Sequence, residues 1–161
     1  MRKSVLTLYL ETSLWGFLAN DLVAEHPPTL ELMKTMEDGN LTGCVSEVVI
    51  RELGQASEPL RTSLLALVAK YKPRLLNLTQ EAAVLAKAYQ ARGVIPLNKT
   101  EDALHAAVAS VYGVDVLVSW NYRHLVNVRK NELINAVNLE MGYRKGLRIA
   151  TPPEVIESGT E

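Results

Sequence analysis

A helix and a buried strand are predicted within residues 101–124, EDALHAAVASVYGVDVLVSWNYRH. In the first half of this segment, small residues recur at spacings of three and four, which gives a face that can pack closely on a sheet. Asn98 can cap the helix, Glu101 can complete a capping box, and Gly113 can end the helix in the left-handed conformation. Residues 116–118 form a short run of apolar β-formers, typical of a strand buried on both faces.

Polar side chains stand where this helix begins and where this strand ends. Asp102 is a carboxylate at the start of an otherwise apolar face, one turn before His105. Asn121 follows the strand, and open α/β sheets bind their ligands at the carboxyl ends of strands. We therefore expect Asp102 and Asn121 to face one cleft. A second interpretation of Asp102 stays open, in which it is a plain carboxylate satisfied by the helix dipole and backbone amides.

The bulk properties indicate one ordinary globular domain. The chain has 161 residues and a formal net charge of −1, with 48% hydrophobic and 22% charged residues, so it can bury a sizeable core. Its single cysteine, Cys44, excludes an intrachain disulfide framework and a cysteine-based zinc site. Glu11 interrupts the first apolar run too early for a signal peptide, and no segment approaches the roughly 20 apolar residues of a membrane span. We expect a cytoplasmic protein.

Strand and helix patterns alternate along the chain. The predicted strands are 5–10, 41–45, 75–78, 116–118 and 147–149. Helical patterns lie between these strands, which predicts a parallel sheet covered by helices on both faces. We expect one α/β domain over residues 1–150. The proline pair at 152 and 153 then begins residues 151–161, which we expect to be a loose tail.

Three carboxylates are candidate metal ligands. Glu11 ends the first strand, Asp102 begins the central helix, and Glu52 shares a helical face with apolar residues. Mg²⁺ and Mn²⁺ prefer oxygen ligands, and a cluster of carboxylates repels itself without a cation. Glu52 has the alternative of an ion pair with Arg51 or with a distant lysine. Glu47 is a competing candidate, although its first-turn position also suits a carboxylate that stabilises the helix dipole.

Four short motifs, taken together, resemble a PIN domain, the fold of metal-dependent ribonucleases that includes VapC-type toxins. The motifs are LYLETS at residues 8–13, SEVVIREL at 46–53, DALHAA at 102–107 and DVLVSWN at 115–121. They occur in the order of the family pattern and cover roughly residues 5–149. The resemblance implies a single-domain, three-layer α/β/α sandwich with a mainly parallel central sheet. It also implies a ribonuclease that requires Mg²⁺ or Mn²⁺, such as the toxin of a toxin–antitoxin pair.

The resemblance also implies partners and site residues. The partners would be RNA, a small antitoxin protein and a second copy of the chain. The catalytic residues would be Glu11, Glu52, Asp102 and Asn121, of which the first three would bind the metal. The side chains expected to orient them are Ser13, Ser119 and Asp115, although Asp115 could instead hold a turn or a backbone amide. The residues expected to contact RNA are Arg123 and Lys130, which belong to a basic segment that can also be a solvated helix face.

Two positions depart from the family pattern. Glu11 stands where the family has Asp, which adds a methylene to the ligand arm, and Asn121 stands where the fourth acidic residue is expected. A neutral amide lowers the expected metal affinity, so Asn121 could instead orient its neighbours. These departures favour an alternative function, a catalytically degenerate PIN-like module that binds RNA or a protein without cleavage. Trp120 and Tyr122 could stack on bases or belong to the core.

A nucleotide-binding α/β domain is a third possibility, although the sequence has neither of the common glycine-rich phosphate loops.

Overall fold

Five strands form one parallel sheet within residues 5–159, the part of the chain that the computed structural model describes. They are β1 (Leu6–Leu10), β2 (Leu41–Ser46), β3 (Arg74–Leu76), β4 (Val116–Val118) and β5 (Arg148–Ala150). Their order in the sheet is β3-β2-β1-β4-β5, and every neighbouring pair is parallel. β1 therefore lies at the centre, between β2 and β4.

Eight helices flank this sheet within the same residues. They are α1 (Thr12–Leu18), α2 (His26–Glu37), α3 (Glu47–Gly54), α4 (Leu60–Tyr71), α5 (Gln80–Ala91), α6 (Thr100–Val111), α7 (Val128–Glu140) and α8 (Pro152–Gly159). α5 packs against α6 and α7, while α2 packs against α1 and α8. The three-layer α/β/α sandwich implied by the PIN resemblance is confirmed, with a sheet that is parallel throughout. None of the helices described over residues 5–159 is long and apolar enough to cross a membrane.

The small-residue face predicted on α6 lies in the core. Ala103, Ala106 and Ala107 have no exposed surface, and Gly113 follows the helix with a φ of +67°, the left-handed conformation predicted for it. The predicted capping box at the start of α6 is wrong. Lys99 is the N-cap residue, and its side chain makes no capping hydrogen bond. Glu101, which was expected to complete that box, instead forms an ion pair with Arg51 of α3.

The C-terminal segment differs from the loose tail predicted for it. Residues 152–159 form α8, which packs against α2, and Val155 is buried with 2% of its surface exposed. The two prolines that suggested a tail occupy the first turn of this helix, where the missing backbone N–H groups need no partner within the helix. Burial of apolar side chains against α2 therefore orders the segment. Residues 160 and 161 lie outside the described part of the chain.

Candidate functional site

The carboxyl ends of the two central strands bring two polar residues together. β1 and β4 pair with Leu10 opposite Val118, so that the next residues, Glu11 and Ser119, lie side by side. The Glu11 backbone N–H donates to the Val118 carbonyl at 3.1 Å, and the Ser119 hydroxyl donates to Glu11 Oε1 at 2.7 Å. The parallel topology alone therefore assembles this part of the site.

Glu11 is held in place by three hydrogen bonds to one carboxylate oxygen. Besides Ser119, the Ser13 hydroxyl donates to Oε1 at 2.6 Å and the Ser13 backbone N–H at 3.2 Å, which makes Glu11 the N-cap of α1. Each hydroxyl also accepts a backbone N–H, from Trp120 to Ser13 and from Asn121 to Ser119. Glu11 is only 6% exposed. The two serines expected to orient the acidic site thus fix one rotamer of Glu11.

Asp102 and Asn121 contact each other, and Asp102 feels the charge of Glu11. Asn121 Nδ2 donates to Asp102 Oδ1 at 3.3 Å, and Asn121 Oδ1 accepts the backbone N–H of His124 at 3.1 Å. Partial burial raises the pKa of Asp102, and the negative charges of Glu11 and Glu52 raise it further, whereas the two nearby histidines oppose the shift. Asp102 therefore lies in the first turn of α6 and also in the electrostatic field of Glu11 and Glu52.

Glu52 reaches the same region from α3, but its partner is neither Arg51 nor a lysine. His105 Nε2 lies 2.5 Å from Glu52 Oε1, and the Thr12 hydroxyl donates to the same oxygen at 2.6 Å. Arg51 instead pairs with Glu101 at 2.9 Å, on the surface between α3 and α6. The sequence patterns did not pair these groups, because the partners lie on three different elements.

A buried chain of hydrogen bonds continues from His105 into the core. His105 Nδ1 lies 2.6 Å from the Tyr9 hydroxyl, which lies 2.6 Å from the Ser46 hydroxyl, and Ser46 caps α3 by accepting the Val48 N–H. Burial alone would lower the pKa of His105, but the hydrogen bond to Glu52 and the nearby carboxylates raise it. Burial strongly raises the pKa of the Tyr9 hydroxyl, so that Tyr9 stays protonated. Tyr9, Thr12 and His105 are the site residues that the sequence analysis missed.

The three acidic side chains share a pattern of use. One oxygen of each carboxylate accepts the hydrogen bonds described above, whereas Glu11 Oε2, Glu52 Oε2 and Asp102 Oδ2 accept none within residues 5–159. Within the same residues, no three His, Cys, Asp or Glu side chains are grouped closely enough to hold a metal ion. Carboxylate oxygens are nevertheless the donors that Mg²⁺ and Mn²⁺ prefer, and Mg²⁺ often uses only one or two together with waters. The donor chemistry fits a hard cation, but a three-carboxylate cage is not preassembled.

Asp115 does not belong to this site. It precedes β4 and therefore lies at the opposite end of this strand from Ser119. There it accepts the Thr7 backbone N–H at 2.8 Å and pairs with Lys145 at 2.8 Å. The expectation that it orients the acidic ligands is therefore wrong, and its alternative role of holding a backbone amide is what the structure shows. A residue at the start of a parallel strand cannot reach a site at its end.

The two predicted RNA contacts lie in different environments. Arg123 is exposed in the turn that follows Asn121. Lys130 is half-buried at the start of α7, and its ammonium group donates to the Val94 carbonyl. Arg123 is therefore available beside the site, whereas Lys130 is engaged in fixing α7 to the loop after α5. The basic segment does not present all of its charges as one surface.

Three solved structures that resemble the chain are VapC or VapBC proteins. VapC20 of Mycobacterium tuberculosis, a sarcin–ricin-loop-cleaving toxin, matches with a TM-score of 0.52 and 18% identity, covering 68% of this chain and 86% of that one. VapBC2 of Rickettsia felis, bound to a promoter DNA fragment, gives 0.57 and 15%. DNA-bound VapBC of Salmonella typhimurium gives 0.54 and 20%, and these two matches each cover 91% of this chain and 98% of the other.

The chain has the PIN-like fold of these VapC structures. The agreement with two of these structures spans 91% of the chain. No protein-family model and no curated protein sequence matches the chain. The VapC likeness therefore concerns the fold alone.

Proposed function

We propose that this chain is an endoribonuclease that hydrolyses RNA phosphodiester bonds with Mg²⁺ or Mn²⁺. The observation that carries the proposal is that Asp102 feels the charge of Glu11, which follows β1, and contacts Asn121, which follows β4. Their mutual charge contributes to the raised pKa of Asp102, and each has one carboxylate oxygen without a hydrogen bond in the described residues. Such an arrangement favours binding of a cation that relieves the repulsion.

The residues of the chain divide the work of such a site. Glu11 and Asp102 would hold the cation, with Glu52 as the third ligand through its second oxygen. A bound Mg²⁺ or Mn²⁺ would activate water and stabilise the charge that develops on the phosphate. The hydroxyls of Ser13 and Ser119 keep Glu11 in one rotamer, while His105 and Thr12 keep Glu52 ionised and oriented. These hydrogen bonds orient Glu11 and Glu52 individually, and a bound cation would draw the three carboxylates together.

The proposed biological role is that of a toxin in a toxin–antitoxin pair. Its support is the likeness of the fold to VapC20, described as a toxin, and to two VapBC proteins. A small antitoxin protein and a second copy of the chain are the corresponding partners. Light scattering of the purified chain measures whether two copies associate, and a monomer at micromolar concentration would contradict the homodimer.

A second candidate function is binding of RNA or protein without cleavage. The observation that favours it concerns Asn121, whose amide is occupied at both ends. Its Nδ2 donates to Asp102 and its Oδ1 accepts the His124 N–H, so the side chain stabilises Asp102 without a cation. In this candidate the remaining acidic groups keep their hydrogen-bonded arrangement permanently.

Cleavage of labelled structured RNA by the purified chain tests the nuclease proposal. We expect cleavage with Mn²⁺ or Mg²⁺ and none with a chelator. Asp102→Asn should reduce the rate by about a hundredfold or more, since it removes a ligand charge. Asp38→Asn, the same change at an exposed site after α2, is the matched control and should leave the rate unchanged. Metal-independent cleavage, or an unaffected Asp102→Asn variant, would contradict the proposal.

Asn121→Asp separates the two candidates through metal binding alone. The substitution removes the amide donor to Asp102 and adds a carboxylate beside it. If the site is built for a cation, Mn²⁺ affinity measured by calorimetry should rise clearly above that of the natural chain. If affinity does not change, the residues do not form a cation site and the non-cleaving module is favoured.

A further inference from the structure

Tyr122 is an exposed aromatic residue directly beside the acidic site. It follows Asn121, whose amide contacts Asp102, and 59% of its surface is exposed. Its hydroxyl makes no hydrogen bond within the described residues, and its backbone N–H donates to the Trp120 carbonyl at 3.0 Å. The alternative that Tyr122 belongs to the core is therefore excluded.

The ring of Tyr122 makes an edge contact with Trp120, which is itself held in place by other residues. Trp120 and Tyr122 make an edge contact with ring centroids 6.5 Å apart, and Trp120 makes a second edge contact with Phe17 at 5.9 Å. The Trp120 indole N–H donates to Thr29 at 2.9 Å, and its backbone N–H donates to Ser13 at 3.0 Å. Trp120 is thus tied to α1 and α2, and it limits the positions that the Tyr122 ring can adopt.

Tyr122 also lines a groove of about 310 Å³. Tyr122 contributes to its wall together with the apolar side chains of Val126, Val128 and Ile149. Arg148 and Glu154 also line it, and the exposed Arg123 follows Tyr122 in the chain. The volume is at the small end of ligand sites, and walls that combine an aromatic ring and apolar side chains with a few polar groups suit a flat aromatic group.

We propose that Tyr122 and this groove form a nucleobase-binding subsite for single-stranded RNA. The Tyr122 ring stacks on one base of the strand, and a neighbouring phosphate lies towards Glu11 and Asp102. Stacking on an aromatic ring accepts any base, while Arg123 supplies attraction for the backbone. The subsite rests on the proposed function for its substrate class, and it assigns a specific contact that holds the RNA strand at the acidic site.

Binding without cleavage tests this subsite. Fluorescence anisotropy with fluorescein-labelled oligoadenylate and oligouridylate RNA, in the presence of chelator, measures affinity while any metal-dependent cleavage is blocked. Tyr122→Ala should weaken binding about tenfold or more, the usual loss when one stacking ring is removed. Tyr122→Phe keeps the ring and should stay within about twofold of the natural chain. Leu139→Ala removes a side chain of similar exposure (61%) near the far end of α7 and should change nothing.

Abasic RNA identifies the base as the group that is recognised. An oligonucleotide of the same length without bases should bind the natural chain and Tyr122→Ala equally weakly. The subsite is rejected if neither oligonucleotide binds the natural chain, if Tyr122→Ala binds as well as the natural chain, or if Tyr122→Phe loses as much affinity as Tyr122→Ala. A polypeptide as the true occupant of the groove would give the second of these results.

The outcomes separate this inference from the nuclease proposal. Metal-dependent cleavage that is lost in Asp102→Asn, together with unchanged RNA binding by Tyr122→Ala, would retain the nuclease and reject the subsite. Weakened RNA binding by Tyr122→Ala in a chain that cleaves nothing would reject the nuclease and retain the subsite.

Discussion

The hydrogen-bonded pair of His105 and Glu52 makes the stability of the chain depend on pH. Burial opposes its charge, but the Glu52 hydrogen bond and nearby carboxylates raise its pKa above the ordinary 6.5. Burial would also raise the pKa of Glu52, yet the same hydrogen bond lowers it below the ordinary 4.5. Because its pKa is raised, His105 contributes stability that is fully present below pH 6.5 and is lost as the pH rises through the raised pKa. Because its pKa is lowered, Glu52 contributes stability that is present above pH 4.5 and is lost as the pH falls through the lowered pKa.

His105→Gln tests this linkage, because glutamine can still donate to Glu52 but cannot become charged. We expect the variant to be less stable than the natural chain, with the largest difference at about pH 5.5 and a smaller one at about pH 9. Urea unfolding followed by circular dichroism at several pH values measures the difference. His26→Gln, the same substitution at the start of α2 and outside the acidic site, serves as the reference variant. Equal differences at all pH values for His105→Gln would contradict the linkage.

The sequence predicted some site residues and not others for a geometric reason. Glu11, Asp102 and Asn121 could be placed together because each stands at a strand end or a helix start. The Glu52–His105 contact joins α3 to α6 across 53 positions of sequence, and it depends on how the two helices pack. No local pattern carries that information. Asp115 was misplaced since its short distance in sequence from Asn121 hides the length of the strand between them.

At the scale of elements, α7 covers the open edge of the sheet. β5 is an edge strand, and two asparagines one turn apart on α7 reach its backbone. Asn131 bonds the Leu147 carbonyl at 2.7 Å and the Ile149 N–H at 2.9 Å. Asn135 bonds both backbone groups of Leu147 at 2.8 Å. Side-chain amides thus replace the strand that is missing beside β5, which protects the edge from pairing with another chain.

Removal of one asparagine should expose this edge. Asn135→Ala leaves the Leu147 N–H without that partner, so we expect a loss of about 1–3 kcal/mol in the free energy of unfolding. We also expect faster aggregation at elevated temperature, since the edge becomes available for pairing. Chemical denaturation and light scattering measure the two effects. Glu132→Gln, at an exposed position of the same helix, should change neither, and an equally stable Asn135→Ala variant would show that the edge needs no such cover.

The sequence predicted the arrangement of helices and strands better than the contacts made at their ends and edges. Alternation of strands and helices, with glycines such as Gly113 at helix ends, was enough for the parallel sheet and its layers. The start of α6 was wrong by local reasoning, because Glu101 pairs with Arg51 on another helix instead of closing a capping box. The edge role of α7 was hidden as well, since asparagines on a polar helix normally indicate only a solvated face. Tertiary partners decide both cases.

At the scale of the whole molecule, a net charge of −1 gives RNA no general attraction. Any affinity for RNA must come from local groups such as Tyr122 and Arg123, and a bound cation would add to it by neutralising the acidic site beside them. Proposed catalysis and proposed binding are thereby coupled through charge. The fold supports this coupling, because the end of β1 and the helices α3 and α6 position the acidic residues, while the turn after β4 carries Tyr122 and Arg123.

Residues 152–159 belong to the same folded unit as the sheet, and α8 provides the test. Val155 is buried against the rest of the molecule, whereas Val128 at the start of α7 is 77% exposed. Val155→Ala should lower the free energy of unfolding by about 2 kcal/mol, because it removes buried methyl groups and leaves a small cavity. Val128→Ala, the identical change at an exposed position, should alter it by less than about 0.5 kcal/mol. Both are measured by urea unfolding. Equal stabilities of the two variants would mean that residues 152–159 contribute no packing energy, as expected of the loose tail that the proline pair suggested.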